Sequence, residues 1–458
     1  MSYNFLLDPV NVPSINTSNR IIKTSIPCEG TKDIIIRMRQ RESRSMQGQM
    51  PIVWDKAEGY SVYDRMGNKW IDFTSTIFVT NIGHAHPYLT EALHSTLKKP
   101  LIHTYAYFNE KRLEYIEKLV AFASKPFEKA FLLSSGSEAT EAALKLMRMY
   151  AQKAGKKPGI ICFEGNWHGR TMGAQQLSSN MSQKSWIGYL DPHIYFLPFP
   201  YPWAMQQDMS GKDFFLNSLK DLEKKGISPE KDVCGIMLET FQGWGAVFYP
   251  NEFILEVEQF CKKNNILITF DEMQSGFART GKAFGFEHYG VTPDLLCCGK
   301  GMGAGLPLSG VIGKAEIMDL PETGNMSSTH SANPLVCTAG LVTLEIIESE
   351  NLIHVSEQRG KLLHSLLKNL QSDFNHCITH ILGKGMIASI IFCDLNTKLS
   401  APFLASRVSE RCMQKGLLVV HTGRESIKIG PPLIISDDAL IEGIDVIREA
   451  IKEVLDEE

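Results

Sequence analysis

Short apolar runs in the middle of the chain each end at a polar or glycine-rich loop, and helical stretches separate them. The runs cover residues 131–133, 160–163, 234–238 and 266–270. Apolar runs that alternate with helices are typical of buried strands in a mostly parallel sheet. Ligands of such sheets bind beyond the carboxyl ends of the strands. The first candidates for a functional site are therefore the polar residues that follow these runs: Ser134–Ser137, Glu164–Asn166, Glu239 and Asp271–Glu272.

The last third of the chain follows a different pattern. It contains two long helical segments and three strand-like runs: 336–348, 351–371, 386–393, 417–420 and 426–429. A closing helix is predicted to begin after Ser436, because a serine cap followed by two acidic residues suits the positive end of a helix. The sequence predicts an α/β fold with a large domain over 86–335. A smaller α+β domain is predicted from 336–458 and part of an N-terminal arm, residues 1–85.

Composition excludes several classes of protein. Of the 458 residues 43% are hydrophobic and 21% charged, which is ordinary for a globular chain and too apolar for disorder. Lys and Arg number 47 against 51 Asp and Glu, so a net charge of −4 argues against a nucleic-acid-binding surface. Ten cysteines form no paired framework, CxxC motif or zinc knuckle, and they predict reduced thiols in the cytoplasm and no metal site. No apolar run reaches the ~18 residues of a membrane span.

Asp271 and Lys300 form the most informative pair. Lys300 lies in a glycine-rich segment, residues 299–305, where a lysine can approach a flat ligand closely, as Schiff-base chemistry requires. A buried carboxylate such as Asp271 can keep a pyridine nitrogen protonated, so that the ring withdraws electrons from a carbanion. Each residue alone also has an ordinary interpretation. Lys300 can be a solvated loop lysine, and Asp271 can be a helix-capping aspartate.

A second candidate feature begins at Ser135. Ser135, Gly136 and Ser137 follow a predicted strand and open a predicted helix, where small residues and free N–H groups can bind a phosphate. The alternative is plain helix capping, since Ser135 and Glu138 have the spacing of a capping box.

Several separated motifs resemble one family. The segments 269–281 and 293–301 are similar to the signature of class III aminotransferases, which are pyridoxal-phosphate enzymes of fold type I. The likeness extends from residues 67–73, through 81–87, to Pro431-Pro432-Leu433. This resemblance implies a large domain with a mostly parallel seven-stranded sheet, a smaller α+β domain, and a homodimer whose site lies at the subunit interface.

The resemblance also implies roles for residues around the cofactor ring. Lys300 matches the Schiff-base lysine, Asp271 the partner of the pyridinium nitrogen, and Gln274 the residue that bonds the phenolic oxygen. Trp167 matches an aromatic ring that stacks on the cofactor, with ordinary core packing as the alternative. Glu239 matches an active-site glutamate.

The remaining cofactor-binding residues fall in loops. His168, beside Trp167, is included with a loop-shaping role as the alternative. The resemblance assigns the phosphate to two loops, the second from the other subunit: Ser135, Gly136 and Ser137, then Ser328 and Thr329.

Substrate recognition departs from the family pattern. Many members that use glutamate have an arginine three residues before the Pro-Pro pair and a glutamate just after Gln-Gly, where this chain has Lys428 and Trp244. A lysine ammonium cannot make the two parallel hydrogen bonds that an arginine makes to a carboxylate. This chain is therefore not expected to bind glutamate and 2-oxoglutarate in the way usual for the family. Lys428 or Arg424 remains a candidate for binding a substrate carboxylate. Arg170 matches the arginine that holds the distal carboxylate in 4-aminobutyrate-using members, with a structural role as the alternative. Two positions match pocket walls, with packing as the alternative: Ile77 and Phe78.

The leading hypothesis is an aminotransferase that moves an amino group from an amino acid or ω-amine to a keto acid by a ping-pong mechanism. A pyridoxal-phosphate racemase or aminomutase of the same family is the runner-up. A dinucleotide-binding oxidoreductase is suggested only by a short pattern, Gly299, Gly301 and Ala304, which is weak and which contains Lys300. No nucleic-acid or membrane partner is expected.

Overall fold

The computed structural model describes residues 3–397 and 399–457, which form two compact units. The large unit comprises Pro87–Gly243 and Val247–Ile353. The small unit comprises the described residues up to His86, the insertion Trp244–Ala246, and the described residues from His354 onward. The units thus change at 86/87 and 353/354, whereas the sequence predicts domain changes at 85/86 and 335/336.

The large unit is built on a seven-stranded sheet. In spatial order its strands are Lys129–Leu133, Ser309–Gly313, Leu295–Cys298, Leu267–Asp271, Val233–Glu239, Gly159–Phe163 and Ile194–Leu197. Ser309–Gly313 is antiparallel to both neighbours, and the other pairings are parallel. The predicted mostly parallel sheet is confirmed, and all four apolar runs contribute to its strands, with only Ile266 lying just before one.

Helices cover this sheet because their apolar faces need a partner. The helix Gly136–Lys153 buries Ala139, Ala143 and Leu146 in the same core cluster as Leu267 and Leu295 of the sheet. The other helices of the large unit are Pro87–Lys98, Glu110–Ala123, Met172–Leu177, Gly211–Lys224, Pro229–Asp232, Asn251–Asn264, Ala315–Met318 and Pro334–Ser349. Short 3₁₀ turns lie at Met181–Gln183, Ser185–Ile187, Gly285–Tyr289 and Lys300–Met302, and Phe241–Gln242 pairs with Val247–Phe248 in a small hairpin.

The small unit contains two sheets. The first joins Ile15–Asn16, Ile21–Ile22, Lys69–Asp72, Ser61–Asp64 and Trp54–Glu58, with Leu417–Leu418 pairing in parallel to Lys69–Asp72. The second is antiparallel and joins Ile378–Lys384, Ile387–Phe392, Ser426–Ile429 and Val420–His421. Its helical elements are Thr31–Arg39, Arg44–Met46, Ser75–Phe78, Pro402–Gln414 and Asp437–Asp456, and the helix Leu352–Asp373 contains the unit boundary.

Two local features of the small unit are set by short-range hydrogen bonds, and the second is the predicted cap of the closing helix. The turn after Asp64 closes a hairpin, and its Oδ1 accepts the N–H groups of Met66 and Asn68 at 2.9 and 3.0 Å. Ser436 caps the closing helix, since its Oγ accepts the N–H of Ala439 at 3.3 Å. Within the described residues, no helix has both the length and the apolar character that a bilayer crossing requires.

Candidate active site

A cavity of about 270 Å³ lies in the large unit, at the carboxyl ends of the central strands. Asp271 and Glu239 are the last residues of adjacent strands, and Lys300 follows a third strand after one glycine. The apolar strands thus deliver three charged groups to one edge of the sheet, as the sequence predicts. The cavity is lined by Gly136, Ser137, Trp167, His168, Gly169, Glu239, Phe241, Asp271, Met273, Gln274, Ser275 and Lys300.

The carboxylate of Asp271 is held in place on both of its oxygens. Oδ2 lies 2.8 Å from Nδ1 of His168, and Oδ1 accepts the N–H of Met273 at 3.1 Å. His168 is itself fixed through its backbone: its N–H donates to Ser178 Oγ, and its carbonyl accepts from Thr140 Oγ1, both at 2.8 Å. The histidine thus contacts one oxygen of the acid from a loop that is itself held by hydrogen bonds.

The amine of Lys300 has a lowered pKa. Burial lowers its pKa below the usual lysine value, and the carboxylates of Asp271 and Glu239 offset only part of that shift. Because desolvation disfavours the ammonium form, a larger share of this side chain is neutral near pH 7 than in an exposed lysine. A neutral amine is both a nucleophile and a proton acceptor.

Two glycines allow the backbone to close around the thioether of Met273. A Cβ at Gly136 would lie 3.0 Å from Met273 Sδ, and one at Gly299 would lie 2.6 Å from it. Met273 lines the cavity, although sequence reasoning did not single it out. The only available signal was its position between Asp271 and Gln274 in the quoted motif.

Glu239 joins two loops at the cavity. Its Oε2 accepts the N–H of Trp167 at 3.1 Å, and its Oε1 accepts the N–H of Gly243 at 3.2 Å. Gly243 in turn packs on the amide of Gln274, since a Cβ there would lie 2.2 Å from Gln274 Nε2. The indole of Trp167 remains about one-third exposed, at 36%, and the guanidinium of Arg170 lies 4.3 Å from its ring centroid.

The helix start at the cavity contains the capping box that one of the two sequence interpretations predicts. Ser135 Oγ accepts the N–H of Glu138 at 3.4 Å, and the Glu138 carboxylate accepts the N–H groups of Ser134 and Ser135, each at 2.9 Å. This is a complete capping box. Gly136 and Ser137 still line the cavity, so the positive end of an 18-residue helix faces it.

Ser328 and Thr329 do not line this cavity. Ser328 lines a separate cavity of about 320 Å³ in the large unit, together with Tyr105 and Arg112. Thr329 is exposed, and its carbonyl accepts a hydrogen bond from Nε2 of His103 at 2.7 Å.

Four substrate candidates belong to the small unit. Lys428 is buried, and its Nζ lies 4.6 Å from the ring centroid of Phe78. Trp244 contacts Arg424, whose Cζ lies 3.7 Å from an indole ring centroid. Ile77 is 42% exposed.

Glu272, which the sequence places beside Asp271 among the polar residues after the strands, supports the site from below. It is fully buried, and its carboxylate accepts hydrogen bonds from Thr240 Oγ1, Ser275 Oγ, Gly285 N and Phe286 N at 2.6–2.8 Å. Burial raises its pKa, against the lowering effect of these donors. It ties together segments that follow two neighbouring strands, and so supports the loop that carries Asp271 and Gln274.

The donor set fits pyridoxal phosphate. The lysine of lowered pKa suits the cofactor's aldehyde. The fixed carboxylate suits its ring nitrogen, and the helix N-terminus suits its phosphate. The glycines at 136 and 299 let Met273 pack against the cavity without a clash. Fold and site together define an α/β enzyme of the pyridoxal-phosphate type.

Comparison with known proteins gives the family. The model of "Aminotransferase class-III" matches residues 43–451, and the chain belongs to this family. It is 36% identical over 410 residues to a probable 4-aminobutyrate aminotransferase of Bacillus subtilis, covering 87% of this chain and 92% of that protein. It is 34% identical over 418 residues to an ornithine aminotransferase of Bacillus cereus, covering 90% and 96%.

A solved structure agrees with both the fold and the cofactor. The ornithine aminotransferase of Toxoplasma gondii superposes with a TM-score of 0.82 at 25% identity, covering 94% of this chain and 96% of that one. Its description reports partial occupancy of pyridoxal phosphate at the active site. The resemblance inferred from the motifs is thereby confirmed: the chain is a pyridoxal-phosphate-dependent class III aminotransferase, which acts on amino and keto-acid substrates. Transamination is favoured over racemisation or amino-group migration.

Proposed function

We propose that Lys300 and Asp271 form the catalytic pair of this aminotransferase. The observation that carries the proposal is a lysine of lowered pKa in one cavity with a carboxylate fixed on both oxygens. Lys300 would hold the cofactor's aldehyde carbon and Asp271 its ring nitrogen. When bound, the cofactor supplies an electron sink for the carbanion that remains after a proton leaves the carbon next to the amine.

Lys300 then moves that proton. As a neutral amine it would accept the proton from the substrate carbon, and as an ammonium it would deliver that proton to the cofactor's former aldehyde carbon rather than back to the substrate. Nδ1 of His168 lies 2.8 Å from Oδ2 of Asp271 and would keep this carboxylate turned toward the ring nitrogen. Trp167, Gln274 and Glu239 line the same cavity, and the helix start at Gly136 and Ser137 would hold the phosphate.

Replacing Lys300 with Ala tests this proposal. The variant is expected to lose turnover with every donor while its fold is retained by circular dichroism. Lys184→Met is the matched control, because Lys184 is also a buried lysine of the large unit whose pKa is lowered by burial. Turnover retained by Lys300→Ala, or lost equally in Lys184→Met, would contradict the assignment.

For the substrates we propose an ω-amine or amino-acid donor and a small keto acid without a second carboxylate. The relatives named for 4-aminobutyrate and ornithine suggest the donor class. Arg170, stacked on Trp167 beside the cavity, is the candidate for a distal carboxylate of the donor. Lys428 and Trp244 stand in place of the family's arginine and glutamate, so pyruvate is expected to be a better acceptor than 2-oxoglutarate. A panel of donors against both keto acids decides this.

We also propose a homodimer. Residues 97–113 carry apolar side chains that are strongly exposed in the single chain, including Leu101 at 47%, Ile102 at 58%, Tyr107 at 80% and Phe108 at 95%. Exposed apolar surface of this extent marks an interaction site. His103, in the same segment, bonds the carbonyl of Thr329. A second copy that covers this strip would therefore also meet the loop of Ser328 and Thr329, which the resemblance places at the partner's phosphate.

The compartment follows from the cysteines. All ten are free and buried, and burial raises the pKa of several of their thiols, among them Cys297 and Cys298 beside Lys300. Inert thiols of this kind suit a reducing cytoplasm. We propose that location.

We also propose that the predicted large domain binds the cofactor and that the predicted small domain takes part in substrate recognition.

A further inference from the structure

One carboxylate of the large unit holds the turn that begins the helix Met172–Leu177. Oε1 of Glu141 accepts the N–H groups of Gly173 and Ala174 at 2.7 and 3.1 Å. It also accepts the Oγ1–H of Thr171, the residue before this helix, at 2.6 Å. Three donors thus converge on a single oxygen, and two of them are N–H groups that a helix start leaves without an intrahelical partner. Glu141 therefore caps this short helix from outside it.

Glycine at position 173 lets the carboxylate approach the backbone this closely. A Cβ there would lie 3.0 Å from both Cδ and Oε1 of Glu141, which is closer than side chains ordinarily pack. Because Glu141 is only partly exposed, water competes less for its hydrogen bonds than it does at a free surface. The contact is therefore a fixed attachment between two segments of the large unit.

The helix that carries this glutamate is attached to the loop 167–174 at two more points. Ser137 Oγ accepts the N–H of Arg170 at 3.2 Å. Thr140 Oγ1 donates to the carbonyl of His168 at 2.8 Å. The serine lies three residues before the threonine and four before the glutamate, so all three side chains share one face of the helix. The loop therefore runs along the first two turns of that helix.

The loop 167–174 carries two groups of the proposed substrate site. Trp167 lines the cavity, and the guanidinium of Arg170 lies 4.3 Å from the centroid of its ring. An arginine side chain has many rotamers, so its guanidinium stays over the ring only where the backbone that carries it is held in place. Glu141 is not one of the residues that line the cavity, so it acts on the reaction through this loop.

We propose that Glu141 is a positioning residue of this enzyme, which fixes the loop 167–174 so that the Arg170 guanidinium meets the distal carboxylate of the donor. The donor class that this favours is an ω-amino acid, in which a flexible chain separates the amine from the carboxylate. Without the attachment the guanidinium has more positions to lose on binding, so the carboxylate is bound more weakly. The inference rests on the proposed role of Arg170 in donor binding.

Glu141→Ala tests the inference with a matched pair of donors, 4-aminobutyrate and butan-1-amine, which has a methyl group in place of the carboxylate. KM for 4-aminobutyrate is expected to rise about fivefold, and KM for butan-1-amine to stay within about twofold. Glu141→Gln keeps an oxygen acceptor and is expected to restore both KM values. Damage to the fold alone would lower kcat for both donors alike, so the ratio of the two KM values separates positioning from stability.

Gly173→Ala displaces the same carboxylate without removing it, because the added Cβ crowds Cδ and Oε1 of Glu141. It is expected to shift the KM ratio in the same direction, and it keeps the test decisive if Glu141→Ala does not fold. Glu128→Ala is the matched control. Oε2 of Glu128 accepts the N–H of Ala315 at 2.9 Å, at the start of another short helix of the large unit, and Glu128 does not line the cavity. Its KM ratio is expected to equal that of the unmodified enzyme.

An equal rise in KM for both donors, or no change for either, would overturn the inference while leaving transamination intact. A folded Glu141→Gln enzyme as impaired as Glu141→Ala would overturn it too, because the amide oxygen can still accept the three hydrogen bonds. An unmodified enzyme that converts neither donor with any keto acid would instead overturn the proposed donor class on which the inference rests.

Discussion

Nδ1 of His168 lies 2.8 Å from Oδ2 of Asp271, and both side chains are almost completely shielded from solvent. The histidine comes from a loop after one strand and the aspartate from the end of another. His168 therefore sets the direction in which the carboxylate faces the cavity. Its Nε2 has no hydrogen-bond partner among the described residues.

Replacing His168 with Gln is expected to weaken cofactor binding about tenfold, because a charge-assisted hydrogen bond to Asp271 is lost. Fluorescence titration of the apoprotein with pyridoxal phosphate measures this. His354→Gln, at an exposed position of the small unit, is the control and should bind normally. Normal affinity in a folded His168→Gln protein would show that Asp271 needs no such support.

The lowered pKa of Lys300 predicts how apoprotein stability depends on pH. Folded Lys300 releases its proton below the usual value of 10.5, so between that lowered pKa and 10.5 the unfolded chain binds more protons. Stability contributed by this group therefore rises with pH across that window. Lys300→Met should melt above the unmodified apoprotein near pH 7, and the difference should shrink toward about pH 10. A difference that grows with pH would contradict the direction of the shift.

Glu272 is expected to be a structural requirement of the site. Glu272→Ala leaves four buried donors without their acceptor and should lower the free energy of unfolding by about 3 kcal/mol or more. Denaturation at fixed protein concentration measures this. Glu348→Gln removes only a surface ion pair with Lys118 and should change stability by less than about 0.5 kcal/mol. Similar values for both variants would refute the role given to the buried carboxylate.

Subunit complementation tests the position of Thr329. If Thr329 serves the partner's phosphate, a mixed dimer of Lys300→Ala and Thr329→Ala subunits contains one site with both native residues. Such a dimer should regain high cofactor affinity at half of its sites, whereas Thr329→Ala alone stays about tenfold weaker. If no tight site returns on mixing, Thr329 acts within its own chain or not at all.

The parts of the site that local pattern encodes were predictable. Asp271 and Glu239 follow largely apolar runs, and such runs become buried strands whichever helices cover them. The capping box at Ser135 and the hairpin at Asp64 are also set by short-range hydrogen bonds. For these features residue spacing carries the physical cause.

Other features depend on contacts between distant segments. The turn Ser75–Phe78, whose four φ angles are all positive, is stabilised by a hydrogen bond from Ser75 to Gly430, 355 positions away. The fit of Met273 between Gly136 and Gly299 joins three segments. No periodicity signals such contacts, because backbone strain and close approach are decided by tertiary packing.

The most direct test of the central claim is to map the cofactor's attachment point. The enzyme is loaded with pyridoxal phosphate, reduced with borohydride, digested and analysed by mass spectrometry. The adduct is predicted on the peptide that contains Lys300, with loss of the yellow colour in proportion to labelling. An adduct found instead on Lys184, or no adduct in protein that has bound the cofactor, would contradict the account.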